Sequence, residues 1–460
     1  MNRRILLWSI TSALAGFLFG FDTVVISGAE KTIQALWGLS AGMHGVAMGA
    51  ALYGTVVGAL LGGWPTDRFG RKATLLCIGV FYLVGAIWSG LATDVYSFIA
   101  ARAIGGLGIG ISTVVAPLYI SEIAPAKYRG RLAGMFQFNI VFGILVALLS
   151  NYLLSGIGEN AWRWMLGVAA FPSLIYALLC FSLPESPRWL LVRKGNREKG
   201  LDVLRLIEPT ASASEIESQA NEILAASSVR TVASPFWTWR LHVPILLAFF
   251  IAFFNQLSGI NAILYFAPRI FEMAGLSKDA ALLQSIGIGV TNFVFTFVGL
   301  YLIDKLGRRT LLFIGSFGYI ISLSLVAWAF FTAHTSFVPV CVFAFIAAHA
   351  VGQGAVIWVF ISEIFPNRHR AEGQALGCGT HWVFCALLAT FFPTMADVYK
   401  DQPGYIFAFF AFMMVLQLVW VTFWVPETKG VTLEQMQKKL GIEDEPGDAV
   451  SSEDARPTAV

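Results

Sequence analysis

Charge is scarce in this chain. Only 13% of its 460 residues are Asp, Glu, Lys or Arg, where soluble domains carry roughly a quarter. With 57% hydrophobic residues and a mean hydropathy of +0.70, that scarcity excludes an ordinary water-soluble fold. Cysteine is scarce too. The five cysteines (Cys77, Cys180, Cys341, Cys378, Cys385) all fall inside apolar runs and none has metal-ligand spacing, which argues against a disulfide framework and against a metal site. Period-2 alternation is missing, which excludes a transmembrane β-barrel. No nucleophile–base pair, metal cluster or P-loop is found, so neither an enzyme nor an ATP-driven pump is expected, and no cofactor is implied. Gly105-Gly106-x-Gly108-x-Gly110 superficially suggests a nucleotide loop, but no strand or βαβ unit accompanies it. Glycines at that spacing let helix backbones approach closely, and that is the reading adopted.

What is abundant is arranged in runs long enough to cross a bilayer, which takes about 20 mostly apolar residues. The first six runs are 5–27, 41–66, 73–92, 96–123, 132–155 and 163–182. After a polar interval come 242–271, 281–303, 310–333, 338–364, 373–395 and 404–425. The fold expected is an all-α membrane protein of twelve transmembrane helices in two six-helix bundles, residues 1–182 and 242–425. In the interval 183–241, apolar residues recur at helical spacing around 188–207 and 215–226, so short amphipathic helices at the cytoplasmic face are expected to join the bundles. The tail, 426–460, begins helical at Leu433-Glu434-Gln435-Met436, then turns acidic and Pro/Ser-rich, and is expected to be disordered from about Gly441. Arg3 and Arg4 before an apolar run resemble a signal peptide. The run continues into Phe21-Asp22-Thr23 without a small-residue cleavage site and is kept as structure.

Basic residues set the orientation. With both termini cytoplasmic, the inside segments hold 25 of the 31 Lys and Arg residues, which is the expected topology. The net charge of +3 is this bias and implies no nucleic-acid partner.

The two halves also repeat each other. Asp67-Arg68-Phe69-Gly70-Arg71-Lys72 recurs 237 residues later as Asp304-Lys305-Leu306-Gly307-Arg308-Arg309. Ile120-Ser121-Glu122-Ile123, with Pro125 and Arg129 following, recurs 241 residues later as Ile361-Ser362-Glu363-Ile364, with Pro366 and Arg370. Such a duplication places a natural site at the seam between halves. Each aspartate–glycine turn joins two spans, and Gly70 suits a positive φ. The bland reading is positive-inside anchoring. The sharper one is a switchable clasp, in which Asp67, Arg68, Arg71 and Glu122, with Arg129 beside them, hold the cytoplasmic ends of the first half. Asp304, Arg308, Glu363 and Arg370 would do the same in the second.

These motifs, with Gly20-Phe21-Asp22-Thr23, Pro184-Glu185-Ser186-Pro187-Arg188, Gln256-Leu257-Ser258-Gly259-Ile260-Asn261 and Pro426-Glu427-Thr428-Lys429-Gly430, resemble the sugar porters of the major facilitator superfamily over roughly residues 10–440. The resemblance implies the major facilitator fold, alternating access and a sugar site midway through the membrane.

Sugar hydroxyls are neutral donors and acceptors, so amide and indole groups over apolar walls suit them better than charge. The spans supply Gln137, Asn255, Gln256, Asn261, Asn292, Trp358, His381 and Trp382. Taken singly, each amide is as readily interhelical glue. Gln137, Gln256, Asn261, Asn292 and Trp358 match family sugar ligands in type and order. Tyr265 resembles the outer-gate tyrosine and Phe19 an aromatic wall residue. The sequence departs from the pattern at Asn255, usually a second glutamine, at His381, commonly an amide, and at Cys385, often asparagine. His381 is either a satisfied core residue or a sugar ligand. Gly259 is expected to break the seventh span.

Asp22 and Arg102 are ionisable residues within spans, which makes them functional candidates. An Asp that approaches and leaves an Arg would take up and release a proton. In the resembled family, proton-coupled bacterial members carry an acid at the Asp22 position, and animal glucose facilitators a neutral residue. The expected function is proton-coupled import of a monosaccharide, a hexose such as glucose, across a bacterial inner membrane. Its partners are sugar, protons and the lipid bilayer, and a monomer suffices. The alternatives are an uncoupled facilitator, separated by pH-dependent uptake, and a transport-dead sensor, for which the tail carries no recognisable domain.

Overall fold

Apolar runs in hydrocarbon must satisfy their own backbone hydrogen bonds, and helices do so within one segment. In the structure, a computed structural model describing residues 3–125, 128–228 and 235–442, twelve helices among those residues are long and apolar enough to cross a membrane. The first six are Arg3–Gly28, Ala41–Leu61, Arg71–Leu91, Val95–Ile123, Gly134–Leu154 and Ala161–Cys180. The second six are Trp239–Tyr265, Lys278–Leu306, Arg308–Phe331, Thr335–Ile364, Arg370–Val398 and Gly404–Phe423.

Neighbour relations repeat between the halves. The first span packs on the fifth as the seventh packs on the eleventh, and the second on the fourth as the eighth on the tenth. Across the seam, the second span packs on the eleventh and the fifth on the eighth, which are equivalent contacts under the repeat. The glycine run of the fourth span faces this packing. A Cβ at Gly106 would lie 1.9 Å from the carbonyl oxygen of Ala51 in the second span, so only glycine allows this approach.

Several boundaries differ from the sequence reading. The second span ends at Leu61 and a separate helix, Gly63–Phe69, carries the turn. The seventh span is broken. Helix His242–Leu257 stops before Gly259, whose φ is 86°, and Ile260–Tyr265 and Ala267–Met273 follow. The tenth breaks at Gly352, between Val338–Val351 and Gln353–Ile364. The interval between bundles holds three helices, Pro187–Val192, Arg197–Ile207 and Ala213–Ser228, because a turn at Gly195 (φ 66°) splits the expected 188–207 segment. Their apolar faces do not lie free for lipid. Leu191, Leu201, Leu204, Ile216 and Ala220 form a small core of their own, and Trp189, Leu190, Val203 and Ile207 join the core of the first half. The tail forms helix Leu433–Lys439. The disorder expected further on falls on 443–460, outside the described residues.

Hydrogen bonds between the halves gather at one end. Arg269 reaches Glu30, Lys31 reaches Glu272, and Tyr53 reaches Thr390. The two charged turns lie at the other end, and among the described residues no hydrogen bond or ion pair joins the Asp67–Arg71–Glu122 group to the Asp304–Arg308–Glu363 group. The structure is a state closed at the Glu30 end.

Candidate functional site

At the seam lies a cavity of about 450 Å3. All eight candidate sugar ligands line it: Gln137, Asn255, Gln256, Asn261, Asn292, Trp358, His381 and Trp382. They arrive from the fifth, seventh, eighth, tenth and eleventh spans, and the Gly259 break sets Asn255 and Gln256 beside Asn261. The amides form a chain in which each nitrogen donates to the next oxygen. Asn261 donates to Gln256 (2.7 Å), Gln256 to Asn255 (2.8 Å), and Asn255 to Gln353 (3.4 Å). Gln353 then donates to Gln417 and Gln417 to Ser316, both at 2.8 Å. The Gln256 amide nitrogen also lies 3.2 Å from Nδ1 of His381. Such a chain leaves few buried polar atoms unpaired and fixes each amide's orientation. Apolar walls complete the cavity. Phe19 of the first span meets Trp382 of the eleventh with ring centroids 5.5 Å apart, an aromatic contact between the halves at the cavity wall.

Tyr265 does not line the cavity. It is fully buried beyond Asn261 towards the closed end, and its hydroxyl has no partner among the described residues. Cys385 is likewise buried outside the lining.

Asp22 and Arg102 are brought together. An Arg102 guanidinium nitrogen (Nη1) donates to Asp22 Oδ1 at 2.7 Å and Nη2 donates to the Asp22 carbonyl at 2.9 Å. Both residues are buried, and Asp22 Oδ2 has no partner among the described residues. Asp22 itself faces away from the cavity, whereas Phe19, Gly20 and Thr23 on the same helix line it. A change in the ion pair is therefore one helical turn from the cavity wall.

Comparison with known proteins now fixes the family. The model of the family described as "Sugar (and other) transporter" matches residues 8–440. The chain belongs to the sugar transporter family. It is similar to the glucose transporter GlcP of Staphylococcus epidermidis, 34% identical, with 94% of this chain and 96% of that protein covered. It is also similar to the arabinose-proton symporter of Bacillus subtilis, 35% identical, with 94% of each covered. Among solved structures, the inward-open xylose transporter XylE of Escherichia coli superposes with a TM-score of 0.83 at 30% identity, covering 95% of this chain and 99% of that one. The fold is that of the major facilitator superfamily.

In this family member the repeated turns form two similar ion-pair groups. Arg71 binds Glu122 through two nitrogens (2.8 and 2.9 Å) and reaches Asp67 at 3.3 Å. Arg308 binds Glu363 at 3.0 and 2.8 Å and reaches Asp304 at 3.3 Å. Arg68 is not part of this arrangement; it is exposed and pairs with no described carboxylate. Arg370 also has no carboxylate partner among the described residues; Glu363 is held by Arg308 and Thr428 instead. The side chain of Arg129 lies outside the described residues.

Three sets of residues had no role assigned to them from the sequence. Glu185 accepts from the backbone nitrogens of Arg71, Lys72 and Ser186, and Glu427 from those of Arg308, Arg309, Thr428 and Lys429. Each carboxylate caps the helix that starts after a positive-φ glycine, Gly70 (95°) or Gly307 (92°). The signal was the repeated Pro-Glu dipeptide. Gln353, Gln417 and Ser316 extend the amide chain, and amides inside apolar runs were the available signal. At the closed end, Glu30 and His44 are fully buried. Glu30 accepts from Arg269 at 2.8 and 2.7 Å and meets His44 Nε2 at 2.8 Å, and Arg269 also donates to Gln34 at 2.6 Å. Burial would raise the Glu30 pKa, but bonds from His44 and Arg269, and their charge, hold it below the ordinary carboxylate range. Nothing in the spacing of Glu30, His44 and Arg269 along the chain announced this group.

Proposed function

We propose that the protein imports a monosaccharide, a hexose such as glucose, together with a proton across a bacterial inner membrane by alternating access, with both termini cytoplasmic. The observation that carries this reading is the buried Asp22–Arg102 pair one turn from an amide-lined cavity. An ionisable carboxyl inside a span is costly, which makes it a functional candidate. The relatives support coupling and substrate class, since they include a glucose transporter and an arabinose-proton symporter.

In the state closed at the Glu30 end, which this reading takes as the outer end, Asp22 is paired with Arg102. Protonation of Asp22 would cancel the attraction and release Arg102. The first span would then move, carrying Phe19, Gly20 and Thr23, and the cavity wall would report the proton to the sugar. Sugar is held by neutral groups: Asn255, Gln256, Asn261 and Asn292 donate and accept, and Trp358 and Trp382 supply apolar faces. The ion-pair group at Arg71–Glu122 and its repeat at Arg308–Glu363 brace the inner ends of each bundle, so that each half rocks as a body.

The test uses weakly buffered proteoliposomes with glucose, galactose, xylose or arabinose added outside. Symport predicts alkalinisation of the outer medium as sugar enters. Sugar entry without a pH change would replace coupling by facilitated diffusion. No entry of any monosaccharide would overturn the substrate class.

A further inference from the structure

The cavity holds a second histidine besides His381. His349 lies in the tenth span just before the break at Gly352, and it lines the cavity together with Gly354 and Trp358. Its Nδ1 lies 2.7 Å from the hydroxyl of Tyr319 on the ninth span. Tyr319 is fully buried, and its hydroxyl has no other partner among the described residues. A buried phenol must donate its hydrogen or lose that bond outright, and the acceptor within reach is Nδ1. That assigns the tautomer: the proton of the neutral ring sits on Nε2.

Nε2 has no partner among the described residues. Glycine leaves room around His349, since a Cβ at Gly354 would lie 3.0 Å from the His349 carbonyl oxygen and 3.3 Å from Cδ2 of its ring. The two histidines thus differ. His381 is engaged by Gln256, whereas His349 is anchored from behind and presents an uncommitted N–H to the cavity.

We propose that His349 is a sugar-binding residue that donates Nε2–H to one oxygen of the transported monosaccharide, and that Tyr319 is a positioning residue that sets its tautomer. The proposal rests on the sugar-transport reading above and deepens it. A fixed donor demands an acceptor at one position of the sugar. A deoxy sugar lacking that oxygen loses the bond, and a fluoro sugar, which accepts weakly, keeps part of it.

The experiment measures binding to the purified full chain by tryptophan fluorescence, first with glucose, galactose, xylose and arabinose, then with the monodeoxy and monofluoro series of the sugar that binds. His349→Phe is expected to weaken binding of the parent sugar roughly five- to tenfold. The wild type should discriminate against one deoxy position by a similar factor, and His349→Phe should lose discrimination at that position alone. His349→Gln, which restores an N–H, should recover part of it. Tyr319→Phe should lessen discrimination at the same position and leave the others unchanged, which a merely structural role would not do. Gly354→Ala, which sets a methyl group against Cδ2 and the carbonyl oxygen of His349 and so displaces the intact ring, provides the same readout should His349→Phe fail to fold. An unchanged deoxy profile in the variants, or an equal loss at every position, overturns the proposal. Failure of the wild type to bind any sugar would instead overturn the substrate reading on which it stands.

Discussion

The two halves share a fold and a set of charged turns but differ at mid-membrane. The first half keeps an ion pair there, Asp22 with Arg102, and lines the cavity mostly with apolar groups such as Phe19, Ile140, Val141 and Ile144. The second half contributes most of the cavity's amide, histidine and indole groups, including Asn255, Gln256, Asn261, Asn292, His381 and Trp358. Charge in a low-dielectric interior is expensive, and neutral donors suit a neutral ligand. The difference teaches that duplication fixed the frame while the interior diverged: one half holds an ion pair, the other an array of neutral hydrogen-bonding groups.

The sharpest way to break this comparison is to remove charge from the first half. Asp22→Asn keeps the shape and one acceptor oxygen for Arg102. It is expected to abolish uphill accumulation in proteoliposomes while counterflow exchange of sugar persists. Continued accumulation against a gradient would end the assignment. Removing Arg102 instead would strand a buried carboxylate and cost about 3–5 kcal/mol of stability, so Asp22→Asn is the cleaner variant.

The reciprocal change is Gln256→Ala in the second half. It removes the bonds to Asn255 and Asn261 and the approach to His381, leaving buried amides unpaired. Sugar affinity by tryptophan fluorescence should fall roughly 10–100-fold. The residual transport should remain pH-coupled, because the Asp22–Arg102 pair, proposed above as the proton site, is untouched. If Gln256→Ala instead uncoupled transport, the division between halves would be wrong.

How much of this was legible beforehand depends on periodicity and repetition. Twelve apolar runs and a duplicated Asp-x-x-Gly-Arg turn are local patterns, so the fold and the Arg71–Glu122 and Arg308–Glu363 partners could be read directly. The amides were visible because polar residues in apolar runs stand out, and Gly259 because glycine punctuates helices. What stayed hidden depends on tertiary placement. Arg68 and Arg71 are alike in sequence, but helical geometry after Gly70 turns only Arg71 towards Glu122 and leaves Arg68 exposed. Glu30, His44 and Arg269 come from separate elements, and Arg269 reaches Glu30 across the seam between the halves. Gln353 and Gln417 were as visible as Gln137, yet no pattern says which amides share a chain.

A smaller effect separates the seam's closed end from the bracing within each half. Glu30 is the one carboxylate in that group held by both a first-half and a second-half partner, His44 and Arg269. Glu30→Gln should leave both bundles folded and shift the population towards opening at that end by roughly five- to tenfold, since a bidentate charged bond is lost. Spin-label distances between the ends of the second and eleventh spans would show it. Glu122→Gln, whose partner Arg71 lies in the same half, should not change that distance; if it did, the two ends would not be independent.

The smallest expected effect lies in the two caps that the repeat makes equivalent. Burial raises the Glu185 pKa above the ordinary carboxylate range despite its backbone donors. Glu427 is less deeply placed; burial pushes it up, but the nitrogens of Lys429, Arg308, Arg309 and Thr428 outweigh that and hold it below the range. The signs differ accordingly. A lowered carboxyl stabilises the fold above its unfolded pKa and loses that contribution as pH falls through the folded value, whereas a raised one binds its proton more tightly when folded and gains on acidification. Glu427→Gln should therefore flatten the acid side of the thermal stability profile, and Glu185→Gln should not. Each change is about 1 kcal/mol, the scale of a helix cap. Identical acid profiles for the two variants would mean that the repeated caps share one environment after all.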